Sequence, residues 1–390
     1  MSQRPTGLLS TLIVIAGLTL VPVEAAAEAV AVGVILPLSG PNAVFGHMQK
    51  NSMLMALEEV NRRGGVGGAA LELDIRDTGN RPRDAAAIVN HFISDKNYPL
   101  ILGGVNSSVT GAAAEVCQRR GTPFVAVTGA DDALTSRARS HVFRIAPPRS
   151  RYPEAALDYV RQVVRPRKVA MVTEISSFGD AISRVVRDAA AGSGWEVAAE
   201  SRYDFGTLNL EKVFDAVERV EPDVVFLTSF PPDSSKIMER LRRELPSTPI
   251  ISLAPYSYLA GDLRQCGEGC RGVFNAALWW GSMEGAPARY TARYTERFGT
   301  EPDYHGAQAY AAVLVAAAAL RTGNEREAVR TALERTRIET PYGVVAFQQW
   351  GEFHNQNRPV GYLFQWLGDR YEVIWPEDRR TARPLPVGEL

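Results

Sequence analysis

The sequence predicts an α/β protein built from two doubly wound lobes, each with a largely parallel sheet and helices on both faces. Short apolar, β-rich runs alternate with helical patterns over most of the 390 residues, which is typical of parallel sheets. About ten such units are too many for one sheet, and at roughly 150 residues per domain the length allows two lobes. We place the border between the lobes at the turn 145–148.

The first half of the chain is predicted to hold five strands. Strand 71–75 alternates apolar with charged residues, so one of its faces is polar and it should lie at a sheet edge. Pro82 can open the helix after it, because the first helical N–H needs no partner. The strands are expected at 30–36, 71–75, 100–102, 124–127 and 142–145, and the helices at 46–62, from 82, and at 109–120.

The alternation restarts after the border, and long helices and further strands complete the chain. We expect helices from 152 and at 180–191, 210–220, 234–245, 286–298, 304–321 and 325–336. Strands are expected at 169–173, 195–199, 224–227, 250–253, 344–347, 360–365 and 371–375, followed by a C-terminal tail at 376–390.

Residues 1–27 are predicted to be a secretory signal peptide. Arg4 precedes a mostly apolar run at 7–21, and the small residues of 23–28 then offer a cleavage site. A membrane anchor is the alternative interpretation, but an apolar run of about 15 residues is short for crossing a bilayer. No Cys follows the small residues, which argues against a lipid anchor, and the apolar run 309–320 fits a buried helix. We expect an exported protein that is soluble after cleavage, with no membrane insertion.

Charge and cysteine content exclude several classes of protein. Lys and Arg total 43 against 44 Asp and Glu, so a net charge of −1 provides no bulk attraction to nucleic acid or acidic membrane. The five histidines are scattered without metal-binding spacing, so neither a metal nor a cofactor is expected. Cys266 and Cys270 flank a Gly-rich loop that one disulfide could close in an exported protein. Cys117 lies in a helical pattern and suits a buried apolar position.

The chain lacks the sequence motifs of common enzymes. It contains neither G-x4-G-K-[ST] nor G-x-S-x-G, and no G-x-G-x-x-G joins its first strand to the next helix. A hydrolase that uses Ser107 would need a histidine at the end of a strand, and the predicted elements place neither His141 nor His305 there. We therefore expect a protein that is not an enzyme.

A ligand site is predicted where loops leave the carboxyl ends of the parallel strands. Ser107 stands where the third strand gives way to a helix, so its hydroxyl and the first free amides of that helix could hold a carboxylate. Ser107 or Ser108 could equally serve only as the helix N-cap. The loops of the first half that leave such ends are 37–45, 77–81, 106–108 and 128–130.

Aromatic residues recur near the same ends of the strands. Taken singly, each ring is more often a packing residue than a binding residue, but their repetition indicates an aromatic-walled pocket with one anionic end. Four of them lie in loops and the last lies on a helix after the lobe border: Phe45, Phe178, Phe230, Tyr256 and Tyr310.

Several segments between residues 29 and 375 together match the sequence pattern of one protein family. Residues 32–41 read VGVILPLSGP, and residues 58–68 read EEVNRRGGVGG. The further segments are Phe45-Gly46, Asp77, 103–108, 121–123, Phe178-Gly179, Asp204-Phe205 and 221–225. Through these segments the chain resembles the periplasmic solute-binding proteins of branched-chain amino acid (Leu/Ile/Val-type) ABC uptake systems, which have the type I periplasmic-binding-protein fold.

The resemblance implies two Rossmann-like lobes that close on a ligand about a hinge. Three crossovers would join them, near Ala146, Asn275 and Tyr342. A periplasmic location and an inner-membrane ABC permease as partner are also implied. The lobes would comprise 29–145 plus 276–342, and 146–275 plus 343–375.

The resemblance also assigns ligand contacts. In amino-acid-binding members the ligand carboxylate rests on a serine that matches Ser107, and on a threonine whose position holds Ala130 here, so only its backbone can serve. Thr128 lies where a backbone carbonyl accepts a hydrogen bond from the ligand ammonium. Family members often have tyrosine where this chain has a drier ring, at Phe45, Phe178 and Phe230.

The acid that would pair with a ligand ammonium is missing from its expected place. The chain reads Ala-Pro-Tyr-Ser at 254–257, and no carboxylate follows until Asp262. An enclosed, unpaired ammonium costs several kcal/mol, enough to erase micromolar affinity. Either Glu174 pairs with the ammonium or the ligand has no amino group, and we favour the second. We expect a small carboxylate with an apolar or aromatic body, with a branched-chain amino acid as the alternative ligand.

A transport receptor is the leading function. It would bind its solute and dock on a permease, and a ligand that contacts both lobes stabilises only the closed state. A periplasmic sensor that passes its closed state to a signalling partner is the alternative. An exported serine hydrolase that uses Ser107 is the third hypothesis.

Overall fold

A computed structural model of the chain describes residues 28–40, 42–136, 139–204, 206, 210–254, 263 and 267–386. The predicted signal peptide at 1–27, together with Tyr256, Asp262 and Cys266, lies outside the described residues. Within the described part the strands form two separate sheets, which confirms the prediction of two doubly wound lobes.

The strands alternate with helices along most of the chain. The strands are β1 (Val30–Leu36), β2 (Leu71–Asp77), β3 (Ile101–Gly103), β4 (Phe124–Ala126), β5 (Val142–Arg144), β6 (Lys168–Glu174), β7 (Glu196–Tyr203), β8 (Val224–Thr228), β9 (Ile250–Ser252), β10 (Phe274–Ala277), β11 (Arg337–Thr340), β12 (Gly343–Trp350), β13 (Phe353–Asn357), β14 (Tyr362–Trp366) and β15 (Tyr371–Trp375). The α-helices are α1 (Ala43–Arg62), α2 (Pro82–Ser94), α3 (Ser107–Arg120), α4 (Glu154–Tyr159), α5 (Ser177–Ser193), α6 (Glu211–Glu218), α7 (Asp233–Glu244), α8 (Ala286–Phe298), α9 (Tyr304–Leu320) and α10 (Arg326–Glu334).

The first lobe is built on a sheet with the strand order β11-β12-β13-β5-β4-β3-β1-β2. Its central strands β1 to β5 are parallel, and β13 is parallel to β5, whereas β12 is antiparallel to both of its neighbours. β2 lies at the edge of this sheet, as its alternating sequence predicts. Helices α1 to α3 and α8 to α10 cover the faces.

The second lobe is built on a sheet with the strand order β15-β14-β10-β9-β8-β6-β7. Strands β6 to β10 pair in parallel, and β14 pairs antiparallel with β10 and β15. Helices α4 to α7 cover its faces. The tail that follows β15 contacts this lobe, where Leu385 N donates to Gln365 Oε1 at 2.7 Å.

Both sheets are buried on two faces, because successive residues of a strand point to opposite sides. In β1, Val34 packs against α1 and α9, and Ile35 packs on the other face with α2 and α3. In β8, Phe226 lies in the core formed with α4 and α5, and Leu227 in the core formed with α6 and α7. Helix α9 is almost wholly buried, as the apolar run 309–320 predicts. Among the described residues, no helix has the length and hydropathy to cross a membrane.

The strand order corrects the expected crossovers. The chain leaves the first sheet after β5, near Ala146, and returns after β10, which contains Asn275. The expected third crossover near Tyr342 is wrong, because β12 and β13 both belong to the first sheet. Residues 343–357 are therefore part of the first lobe, and the chain crosses at 358–361 instead.

Polar side chains attach β13 to the first sheet. Its sequence, Phe-His-Asn-Gln-Asn, has no apolar alternation, so the pattern does not predict a strand there. Gln356 and Asn357 are nevertheless buried, because Gln356 Nε2 donates to Ala146 O at 2.8 Å and Asn357 Nδ2 donates to Ile145 O at 3.1 Å. Their hydrogen bonds to the end of β5 compensate for the burial of two amides.

A buried arginine joins the two strands at this junction. Arg144, at the end of β5, donates to Gln356 Oε1 at 2.7 Å, to Asp131 O at 2.6 Å and to Thr135 Oγ1 at 2.5 Å. Its side chain is inaccessible to solvent, and burial lowers the pKa of its guanidinium to about 10. Arg144 thus fixes the loop that carries Asp131 against the strands from which the chain crosses between the lobes.

The cysteines behave in two ways. Cys117 is free and fully buried in α3, where burial raises the pKa of its thiol. Cys270 is buried and disulfide-bonded. The pairing of Cys270 with Cys266 stays a prediction, because Cys266 lies outside the described residues.

Candidate ligand-binding cleft

A cleft of about 570 Å³ opens between the lobes at the carboxyl ends of the strands. This volume is in the range that holds a small organic ligand. The first lobe contributes Phe45 and Ser107, the second contributes Phe230, and the segment that crosses between them contributes Arg149 and Tyr152. The remaining lining residues are Asn42, Val105, Asn106, Ser108, Thr128, Ala130, Asp131, Ser177, Phe178, Tyr304 and His305.

The cleft brings together most of the residues that the sequence singled out: Phe45, Ser107, Ser108, Thr128, Ala130, Phe178 and Phe230. Glu174 and Tyr310 do not line it, and Tyr256 lies outside the described residues. Sequence reasoning missed Asp131, Arg149 and His305. Of these, only Arg149 carried a signal, since it follows the Pro-Pro turn at the predicted lobe border.

Two Phe-Gly pairs place one ring from each lobe at the cleft. In Phe45-Gly46, a Cβ on the glycine would lie 1.9 Å from the carbonyl oxygen of Pro37, and in Phe178-Gly179 it would lie 2.2 Å from that of Glu174. Only glycine allows the first turns of α1 and α5 to approach the preceding strand so closely. The phenylalanine before each glycine therefore stands next to the strand end, on the cleft side.

The first turn of α3 supplies polar groups to the floor of the cleft. Asn106 is the N-cap, since its Oδ1 accepts from Ser108 N at 2.9 Å and from Ser108 Oγ at 2.7 Å. The alternative interpretation, in which Ser107 or Ser108 is the cap, is thereby corrected. Ser107 is the first helical residue, so its hydroxyl lies where the helix dipole favours negative charge.

Arg149 connects the two lobes inside the cleft. Its Nη1 donates to the carbonyl oxygen of Ser177 at 3.1 Å, and its Nη2 lies 3.4 Å from Ser107 Oγ. Asp131 Oδ2 is 4.0 Å from Nη2, at the limit of an ion pair. A guanidinium has five N–H donors, so Arg149 keeps the capacity to bind an anion beside Ser107.

Asp131 places a carboxylate in the cleft. Its Oδ1 accepts from Ala133 N at 2.9 Å, and 47% of its side chain is exposed. The sequence pattern places the expected acid after β9, whereas this acid follows β4. Its neighbour Asp132 accepts from Ser150 N at 3.3 Å, next to Arg149.

The second lobe presents an aromatic wall. The ring of Phe178 meets that of Phe230 edge-on, with centroids 5.5 Å apart at 61°. Tyr152 packs edge-on against Phe178, with ring centroids 6.1 Å apart at 79°. Edge-to-face packing of this kind holds the rings in defined orientations and leaves an apolar surface for a ligand.

The first lobe presents a different aromatic group. His305, the second residue of α9, stacks on Phe45 with centroids 4.4 Å apart and on Tyr304 with centroids 4.2 Å apart. Its Nδ1 lies 3.1 Å from each carboxylate oxygen of Asp303, which also caps α9 by accepting from His305 N at 2.8 Å. Three rings and a carboxylate thus form one ordered surface.

Thr128 is held from within the first lobe. Gln49, which is fully buried in α1, donates from Nε2 to Thr128 Oγ1 at 2.6 Å. The threonine hydroxyl is therefore engaged with protein, and the side chain of Ala130 offers no polar atom. A ligand can contact the backbone of 128–130 and the Thr128 hydroxyl, which still carries a proton to donate.

Glu174 lies in the second lobe, at the end of β6. Its side chain is buried at the end of β6, and burial, followed by the negative charge of Asp233, raises the pKa of its carboxyl. No described residue forms a hydrogen bond to its Oε2. Glu174, the candidate partner for a ligand ammonium, is thus not among the lining residues.

Tyr310 belongs to the core of the first lobe. Its hydroxyl donates to Glu59, and its ring packs edge-on against Tyr290 with centroids 5.3 Å apart. Burial raises the pKa of Tyr310 to about 12. Helical position alone did not reveal that this ring faces α1 and α8 instead of the cleft.

The cleft shows no contact between a nucleophile and a base. Within the described residues, the hydroxyl of Ser107 is hydrogen-bonded to Arg149, and no hydrogen bond joins it to His305. The part of the chain that is described also holds no group of three His, Cys, Asp or Glu residues that could bind a metal ion. The arrangement is suited to binding an anion with an apolar body.

The two lobes and the cleft between them are the arrangement of the type I periplasmic class of solute-binding proteins. The family model described as "Periplasmic binding protein" matches residues 29–370, and the chain belongs to this family. The leucine-, isoleucine-, valine-, threonine- and alanine-binding protein of Pseudomonas aeruginosa is 23% identical over 352 residues, covering 88% of this chain and 91% of the relative.

Solved structures share the fold. The substrate-binding protein LivJ of Streptococcus pneumoniae, in complex with isoleucine, has a TM-score of 0.74 at 18% identity and covers 89% of this chain and 100% of its own. A solute-binding protein of Rhodopseudomonas palustris, in complex with benzoate, has a TM-score of 0.72 at 17% identity and covers 92% of this chain and 99% of its own. These structures confirm the predicted fold.

Proposed function

We propose that the protein is the exported, periplasmic receptor of an ABC-type uptake system, and that it captures a small carboxylate and delivers it to an inner-membrane permease. Family membership supports the receptor role, and the signal peptide predicted at 1–27 supports export. A cleft lined by both lobes supports capture by hinge closure, because a ligand that touches both lobes favours the state in which they meet.

The observation that carries the carboxylate assignment is the position of Arg149. Its guanidinium bridges Ser107 of the first lobe and Ser177 of the second, beside the first turn of α3. A carboxylate accepts two parallel hydrogen bonds from a guanidinium, which makes this pair stronger and more directional than a neutral one. A ligand carboxylate bound there contacts Ser107 of the first lobe and Arg149 of the crossing segment, which is itself bonded to Ser177 of the second lobe.

The ligand that fits this cleft has an aromatic or branched apolar body and no amino group. Phe178, Phe230 and Tyr152 offer apolar surface, and Glu174 lies outside the lining. Asp131 is the acid within reach, but it already faces Arg149 and accepts from backbone. An ammonium placed there would compete with Arg149 for the same carboxylate.

A branched-chain amino acid is the second candidate ligand. Asp131 favours it, since this carboxylate lines the cleft and is half exposed. The Pseudomonas aeruginosa relative is named for binding such amino acids, and the two structural neighbours hold isoleucine and benzoate respectively. The alternatives differ in one chemical group, the amine.

Matched ligand pairs test this assignment. We expect 4-methylpentanoate to bind more tightly than leucine, and 3-phenylpropanoate more tightly than phenylalanine, when each is titrated into the mature protein by calorimetry. Each pair differs only by the amino group, so the ratio of affinities isolates the cost of burying the ammonium. Tighter binding of the amino acids would assign Asp131 to the ammonium and overturn the amine-free ligand. Binding of neither kind of ligand would overturn the carboxylate receptor.

A further inference from the structure

His305 is a nearly buried polar side chain of the cleft wall, with 8% of it exposed. Its ring stacks at 24° to Phe45 and at 26° to Tyr304, with centroids within 4.4 Å. Two nearly parallel rings at such distances lie on opposite faces of the imidazole, since on one face they would overlap. Both faces of His305 are therefore covered.

The Asp303 carboxylate fixes the tautomer of this ring. Both of its oxygens lie 3.1 Å from Nδ1 of His305. An ionised carboxylate only accepts hydrogen bonds, so Nδ1 carries a proton and donates it. Asp303 is itself held as the N-cap of α9, which prevents the pair from turning together.

The edge that carries Nε2 is what remains of His305 to face the cleft. The residue lines the cleft, yet only 8% of its side chain is exposed, with both faces and Nδ1 covered. No described residue hydrogen-bonds to Nε2. The cleft thus offers a second polar point, apart from the guanidinium of Arg149.

The chemistry of this edge selects a hydroxyl group. With Nδ1 protonated, Nε2 accepts a hydrogen bond when the imidazole is neutral and donates one when it is charged. A hydroxyl both donates and accepts, so it satisfies Nε2 in either state. A plain hydrocarbon at this point would bury Nε2 without a partner, and such unpaired polar groups reject ligands that lack the matching group.

We propose that the ligand is a hydroxyl-bearing carboxylate, with its hydroxyl hydrogen-bonded to Nε2 of His305 and its carboxylate bound by Arg149. This inference rests on the proposed function, because it needs a carboxylate bound in the same cleft. The aromatic wall of Phe178 and Phe230 favours a ring as the body that joins the two groups. The substrate class is therefore a hydroxyaryl carboxylate.

Calorimetry with matched pairs tests the inference. The pairs are benzoate with 3- and 4-hydroxybenzoate, and 3-phenylpropanoate with its 3- and 4-hydroxyphenyl analogues. In the unaltered protein, at least one hydroxylated isomer should bind about tenfold more tightly than its parent, the effect of satisfying one buried polar atom. In His305→Phe the ring stack is kept and Nε2 is removed, so this preference should fall to about twofold or less, because the parent no longer buries Nε2 without a partner.

His305→Leu provides the second variant. Leucine also removes Nε2 and keeps an apolar side chain at this position, so the hydroxyl preference should again fall to about twofold or less. This variant decides the matter if His305→Phe does not fold.

The outcomes separate the two proposals. Equal binding of the members of every pair overturns the hydroxyl inference. A hydroxyl preference that is undiminished in His305→Phe overturns it as well. Neither result contradicts the carboxylate receptor. Failure of all the parent and hydroxylated carboxylates to bind removes the receptor assignment and this inference with it. Tighter binding of benzene-1,4-dicarboxylate than of any hydroxylated isomer would show that His305 serves a second anion, and would also overturn the inference.

Discussion

The two walls of the cleft differ in chemistry. The first lobe presents polar groups that are already bonded to one another, in the pairs Asn106–Ser108, Gln49–Thr128 and Asp303–His305. The second lobe presents the rings of Phe178 and Phe230, and its polar contact is the backbone carbonyl of Ser177. The first wall thus offers hydrogen-bonding groups held in fixed directions, and the second offers mainly apolar surface.

This difference suggests how the work of binding is divided. Hydrogen bonds need fixed geometry, so they are best placed on a wall whose side chains are held before the ligand arrives. Apolar burial has no direction and depends on area, so a wall of rings can supply it. We infer that the first lobe discriminates between ligands and that the second supplies apolar burial, with Arg149 bonded to both lobes.

Replacement of Arg149 should have the largest effect on the proposed ligand. In Arg149→Gln the ligand carboxylate loses its ionic partner inside the cleft, and truncation of such a pair costs about 2–5 kcal/mol. Titration calorimetry with the best carboxylate of the panel measures this loss. Arg187→Gln, which removes a surface ion pair with Glu200, is the matched control and should bind normally. Wild-type affinity in Arg149→Gln would place the anion elsewhere.

Replacement of Ser107 tests the polar wall. Ser107→Ala removes a hydroxyl beside the anion, and a hydrogen bond to a charged group contributes about 1.5–3 kcal/mol. The affinity measured by calorimetry should fall accordingly. Ser108→Ala is the neighbouring control, because Ser108 Oγ is bonded to Asn106. An equal loss in both variants would point to damage at the start of α3 instead of a lost ligand contact.

Replacement of Phe178 tests the apolar wall. Phe178→Ala removes ring surface that a ligand would cover, and we expect a loss of about 1–2 kcal/mol of binding free energy from the exposed area. Because apolar contact does not distinguish the hydroxyl group, hydroxylated and plain ligands should lose the same amount of affinity. Phe178→Leu is the control that retains apolar bulk. If the loss in Phe178→Ala differs between the two kinds of ligand, the division between the walls is incorrect.

The smallest effect is expected at Glu174, in the second lobe. Its folded-state pKa is raised by burial and by Asp233, so the unfolded chain ionises first as pH rises through the ordinary value of 4.5. The charged carboxylate therefore destabilises the fold above that pH, and Glu174→Gln should be more stable than the unaltered protein at pH 7.

Thermal melts without ligand measure this effect. The advantage of Glu174→Gln should shrink as the pH is lowered toward 4, where the carboxyl is protonated in both states. Ligand affinity should be unchanged, because Glu174 does not line the cleft. A marked loss of affinity in this variant would assign Glu174 to the ligand after all.

Much of the fold could be predicted because it is written in local patterns. The alternation of apolar and charged residues in β2 predicted its edge position, and the uniform apolar run of α9 predicted its burial. By contrast, β13 carries the polar sequence of 353–357, and its burial depends on hydrogen bonds with the end of β5. The spacing of apolar residues along the chain does not predict such hydrogen bonds.

The site was predictable to the extent that it follows strand ends. Ser107 and the two Phe-Gly pairs were found because their loops leave the carboxyl ends of parallel strands. Arg149 and Asp131 were missed because their importance comes from lying close together, with Arg149 close to Ser107, in the folded protein. Tyr310 was assigned to the cleft because a helical position does not state which neighbour the ring will face.

By itself, the sequence determined the strand and helix order, the two lobes, and the serine and rings at the strand ends. These features depend on the spacing of residue types along the chain, and spacing is a property of the sequence. Tertiary structure alone decided that 343–357 joins the first lobe, that Arg144 bonds to Gln356 some 212 positions away, and that Arg149 and His305 face one cleft. The reason is physical: the partner of a polar side chain is chosen by packing in three dimensions, and distance along the chain carries no information about it.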